Sequence, residues 1–199
     1  YFCHFIKLRT TAPKADFDGA GSLSVNVTGG TGVPHKTIVG RPYDSLLSNS
    51  HYLYGTNYLL CSTFTMPRPG RVKALTFLGM KSASPTDNLL VDIFALDGSN
   101  NPTGSSLASS SVAMAGLPTT VSPITMTFAS CPLLAMGTAY GFQFSRSGAQ
   151  NFSALPVIVQ RRGNLYEQGG GQYQSGAATW YPPRFGDDLY GTFSYVDDS

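Results

Sequence analysis

The chain has 199 residues, enough for one large domain with a real core. Lys and Arg number 13 and Asp and Glu 11, so only 12 % of the chain is charged, about half the usual share. Glutamate occurs once, at Glu167, and lysine five times, so helix-coating residues are scarce and neither a helical bundle nor a coiled coil fits.

The 22 Gly, 13 Pro and 40 Ser or Thr suit short strands joined by polar turns. Leu, Ile, Val and Phe make up roughly a quarter of the chain, above the level of a disordered one. A net charge of +2 does not by itself imply nucleic acid. No apolar run approaches the ~20 residues of a membrane helix. The chain starts at Tyr1 rather than Met, as a processed or partial chain does, and no signal peptide is visible.

Residues 1–50 differ from the rest and read as an N-terminal arm or outer strands. Phe5 to Arg9 suits an extended edge segment, and residues 22–28 alternate at period two until Gly29 and Gly30 break the run. From residue 51 onward the strand signals become regular and define a second region, 51–199. Strands are expected at 58–65, 71–78, 89–96, 124–128, 138–145, 155–160 and 189–196. In the fifth of these, Tyr140, Phe142 and Phe144 share one face. Pro156 marks the sixth as an edge strand. Asp97 to Pro102 is a dense turn signal. At least seven antiparallel strands with few helical windows predict an all-β fold, a β-sandwich of jelly-roll type with an extended N-terminal arm.

Chemistry-bearing patterns are thin. Gly29 to Thr37 lacks the Gly before Lys36 that a phosphate loop needs, and Pro34 removes a backbone donor. His4, His35 and His51 form no ligand spacing, and Cys3, Cys61 and Cys131 form no CxxC pair. The plain expectation for Cys61 and Cys131 is buried free thiols, with a bridge between them as the alternative. Glu167 with Asp187 or Asp188 is the only carboxylate set that suggests glycoside cleavage, and turn aspartates explain it more simply. The Asp97 turn offers calcium too few carboxylates. Asn26 and Asn151 each head an N-glycosylation tripeptide. Arg68, Arg71 and Lys73 read as a solvated strand face. No catalytic residue, cofactor or metal site is assigned.

The most suggestive stretch is 163–186, a long Gly-rich loop with the only tryptophan. Tyr166, Tyr173, Trp180, Tyr181 and Arg184 are the candidate contacts, because exposed aromatics beside Arg suit sugar rings or a protein partner.

Several segments carry a resemblance. Val91 to Gly98 followed by Pro102-Thr103-Gly104-Ser105-Ser106-Leu107-Ala108 resembles a strand, turn and "PTG-x-x-LA" unit. Phe128 to Tyr140 resembles an "F-x-x-P-x-x-L-x-x-G-x-x-Y" unit, and a closing "DL-x-G-x-F" strand begins at Asp188. Together, over roughly 70–197, these are similar to jelly-roll β-sandwich modules of bacteriophage fibre, tail and capsid-decoration proteins and of bacterial surface proteins. Cys131 before the Pro, and no Trp ahead of Thr127, depart from that pattern. Residues 1–50 have no counterpart in it. The resemblance implies a non-enzymatic virion structural protein on the virion surface. Its partners would be other virion subunits or copies of itself, with no nucleic acid and no membrane insertion. The alternative is a carbohydrate-binding module on an extracellular or cell surface.

Overall fold

The computed structural model describes residues 14–17, 23–26, 34–38, 48–149, 151, 153–161, 171–175, 180–181, 188–189 and 191–197. It is an all-β sandwich of two antiparallel sheets. The strands are β1 (Lys14–Phe17), β2 (Leu23–Asn26), β3 (Pro34–Ile38), β4 (Ser48–Tyr52), β5 (Tyr58–Thr65), β6 (Gly70–Ser82), β7 (Asn88–Leu96) and β8 (Pro102–Ala113). They continue as β9 (Ser122–Thr127), β10 (Ala139–Arg146), β11 (Leu155–Arg161), β12 (Gly171–Ser175), β13 (Trp180–Tyr181), β14 (Asp188–Leu189) and β15 (Gly191–Asp197).

One sheet runs β13-β12-β5-β10-β7-β8. The other runs β14-β11-β6-β15-β3, with β4 beside β11 and β9 beside β6. Strands β1 and β2 form a separate ladder.

The alternation at 139–146 explains why the sheets pack. Tyr140, Phe142 and Phe144 are all buried. Phe142 stacks on Phe64 at 4.2 Å, and Phe64 meets Phe193 of the opposite sheet at 4.8 Å. Phe144 meets Phe77 of the opposite sheet edge-on at 5.0 Å. These rings bring large apolar area and specific ring geometry to the sandwich centre, where each contributes a few kcal/mol by burial.

Three local outcomes differ from the sequence reading. Strand β8 is rich in Ser and Ala, which have weak strand preference, yet it pairs along β7. The stretch 163–186 is not all loop, because β12 and β13 lie within it. Pro156 does not sit on an edge strand: β11 has β6 on one side and β4 on the other. The missing proline N–H falls opposite Leu53, whose own N–H donates to the Pro156 carbonyl at 3.3 Å. The Leu53 carbonyl that a backbone donor would otherwise satisfy accepts from the Arg146 guanidinium instead, at 3.3 Å.

Candidate functional site

Of the five candidate contact residues, Tyr166 and Arg184 lie outside the described residues. So do Glu167 and Asp187. The other three meet in a short hairpin on β5. Register pairs Tyr173 with Tyr181 and with the core residue Leu60. Trp180 pairs with Gln174, which pairs with Leu59. Successive strand positions belong to opposite faces, so Trp180 occupies the alternate position to Tyr173 and Tyr181. Trp180 is half-buried. The hairpin therefore brings two of the three aromatic positions to one face.

A buried polar cluster closes one end of the sandwich. The alternation through Tyr140, Phe142 and Phe144 continues to Arg146, which puts a guanidinium only 3 % exposed on the core side. A buried charge requires a partner. Arg146 Nη2 donates to Asp87 Oδ1 and Nε to Oδ2, both at 2.7 Å, a bidentate pair. Arg146 Nη1 also donates to the Ala154 carbonyl at 3.1 Å, and the Gly148 N–H donates to Asp87 Oδ2 at 2.8 Å. Burial pushes the Asp87 carboxyl up, and the hydrogen bonds and charge of Arg146 and the Gly148 N–H more than reverse this, leaving it below the usual carboxylate range. The partners are 59 residues apart, so local pattern did not reveal the pair. The one available signal was a charge in phase with buried aromatics. The cluster is fully committed to holding β7, β10 and the segment before β11, so its role is structural.

A third feature is apolar. The loop between β9 and β10 is pinned to the β5–β6 turn. Gly70 and Leu134 exchange backbone hydrogen bonds at 2.8 and 3.1 Å, and Gly137 N donates to the Met66 carbonyl at 2.8 Å. Ala135 N donates to the Tyr140 hydroxyl, and Arg71 Nη1 to the Cys131 carbonyl. Arg71 is thus half-buried, while Lys73 beside it is exposed, as the solvated-face reading expects. On this fixed loop Leu133 is 49 % and Met136 65 % exposed. The side chains are apolar and open to water, and their backbone is not free to collapse over them.

Of the remaining candidates, Cys3 and His4 lie outside the described residues, and others are committed to local structure. Asp97 Oδ1 accepts from the N–H groups of Ser99 and Asn101 at 2.8 and 2.9 Å, so this carboxylate builds its own turn. Asn151 Oδ1 does the same with Ser153 and Ala154. Cys61 and Cys131 are buried free thiols. Burial pushes both thiols up, which disfavours the thiolate, although neighbouring donors and cations partly offset this at Cys131. Among the described residues no group of three or more His, Cys, Asp or Glu side chains is placed to hold a metal ion. No described helix is long and apolar enough to cross a membrane.

No protein-family model matches the chain, and no curated protein matches it. Among solved structures, the infectious bursal disease virus Gt strain is similar at TM-score 0.34 and 12 % identity, covering 98 % of this chain and 49 % of that one. The Gx strain of the same virus is similar at 0.34 and 11 %, covering 92 % and 44 %. A T13 IBDV viral particle is similar at 0.31 and 12 %, covering 94 % and 44 %. This chain spans about half the length of those chains, and likenesses this distant say nothing of what it does.

Proposed function

We propose that this chain is a non-enzymatic virion structural protein that acts by protein–protein assembly, as a bacteriophage capsid-decoration, fibre or tail subunit at the virion surface. The observation that supports this reading most is the pinned loop carrying exposed Leu133 and Met136. Apolar side chains open to water gain free energy when a neighbour covers them, and a fixed backbone lowers the ordering cost when one does. Scarce surface charge works in the same direction, since it weakens the electrostatic barrier to close packing. The partners are other virion subunits or copies of this chain. The test is to band particles on a density gradient and quantify the chain by mass spectrometry. Constant stoichiometry with the particle is expected, and recovery only in the soluble fraction overturns the reading.

A second reading is a carbohydrate-binding surface module. The position of half-buried Trp180, on the strand face opposite that of the core residue Leu60, favours it. A glycan array with Trp180→Ala as control tests this. Binding by the parent that survives the substitution unchanged removes these residues from the site.

A further inference from the structure

We propose that the flank formed by β8 and β9 pairs with the same flank of a second copy of this chain, edge to edge about a two-fold axis. This names a partner and a surface for the assembly reading above and rests on it.

The argument begins with charge. Residues 98–145 contain no Asp, Glu, Lys, Arg or His, although the chain as a whole carries 24 acidic or basic side chains besides histidine. This stretch builds β8, β9 and β10. Strand β10 is interior, between β5 and β7. The neutral sequence therefore reaches the surface through β8, β9 and the loops around them, and of these the two strands present open backbone edges. Among the described strands β8 is laddered only to β7 and β9 only to β6. Each leaves alternate backbone N–H and C=O groups on its open side, the template on which another strand adds.

Residues of the two strands also contact each other across the sandwich, so the open edges lie along one flank. Ser109, Ser111 and Ala113 of β8 and Thr125 and Thr127 of β9 are exposed. Proteins usually blunt such edges with lysines, inward charges, prolines or bulges. Here the guards are local. A register shift between Ile93 and Ala95, with Gly104 at φ 73°, bends the first half of β8. Pro123 guards the start of β9. The runs 108–113 and 124–127 carry none.

The same charge argument selects the partner. A neutral strand offers nothing to attract an acidic or a basic surface. Laid antiparallel on its own copy, it sets no like charges opposite each other and brings hydroxyls against hydroxyls, a favourable cross-strand pairing. A two-fold contact requires such self-complementarity. Its size predicts its strength. Six residues of strand span about 20 Å, and packed sheets lie about 10 Å apart. The patch is then a few hundred Å² per copy, short of the roughly 800 Å² per partner of a stable isolated pair. The contact is therefore weak and reversible, its dimer forming at the upper end of a concentration series, and it strengthens where subunits are already held close.

The test is sedimentation velocity across a concentration series. The parent chain is compared with Ser111→Lys, Ser111→Asp, an equimolar mixture of the two, and Thr127→Lys on the second edge. Circular dichroism confirms the fold, and Thr127→Lys stands in if a Ser111 variant misfolds. The parent is expected to dimerise reversibly. Each single variant is expected to weaken dimerisation by about tenfold or more, and the Lys and Asp mixture to restore it. Variants that associate as the parent does overturn the β8–β9 surface while leaving the assembly reading intact. A parent that stays monomeric throughout overturns the self-pairing, and the assembly reading is then decided by particle recovery alone.

Discussion

The six-stranded sheet ends in two contrasting edges. At one end β13 is two residues long and consists of Trp180 and Tyr181. At the other β8 is 12 residues long and contains neither an aromatic nor a charged residue. A short edge offers little backbone to a neighbour, whereas a long neutral one offers a template. The same central strands, β5, β10 and β7, support both ends. The contrast teaches that association and ligand contact are separable here. In the proposed readings, backbone pairing belongs to the β8 end and contact by aromatic rings to the β13 end.

The largest expected effect removes the support common to both edges. Phe142→Ala should destabilise the fold by about 3–5 kcal/mol in urea unfolding, because the ring is fully buried and stacked on Phe64. Hydrogen exchange should then rise at both edges together, and a rise at one edge alone would break the view of a single supporting core. Asp87→Ala is expected to cost nearly as much, about 3 kcal/mol or more, since it strands the Arg146 charge. Its effect should be lopsided. The Asp87 carbonyl accepts from Met114 N just after β8, so exchange should rise near 108–114 before it rises at β12.

Acid sharpens the same comparison. Burial lowers the His51 pKa from 6.5 to about 4. The folded state therefore binds fewer protons than the unfolded one between these values. Stability is full above pH 6.5 and falls as the pH drops towards 4, by roughly 3 kcal/mol at most. Asp87, also held low, adds a second loss only below the ordinary carboxylate range. Thermal melts from pH 7 to 3 should show both limbs, and His51→Gln should flatten the first. The smallest effect belongs to the β13 end. Trp180→Ala should change stability by about 1 kcal/mol or less and leave self-association unaltered, because a half-buried residue on a two-residue strand supports little else.

How much of this was legible depended on side-chain type. Strand β5 falls where period and apolar content put it, at Tyr58–Thr65. The face of Tyr140, Phe142 and Phe144 was readable because strand period and hydrophobicity agree there. Strand β8 was not readable, because Ser and Ala carry no strand signal and an edge strand need bury only one residue in several. Pro156 gives an edge signal only locally, because the group that compensates its missing donor, Arg146, comes from another strand. The candidate aromatics were visible as a composition, yet which of them share a face depends on the β12–β13 register, a property of pairing. The neutral stretch 98–145 is plain in the sequence, but that two of its strands are open edges is a property of pairing.

The most direct measurement of the central claim is hydrogen–deuterium exchange on the intact chain at low and high concentration. The account predicts that amides in 108–113 and 122–127 gain protection as concentration rises while those in 171–175 do not change. Protection gained at 171–175, or at neither edge while the protein associates, would contradict it.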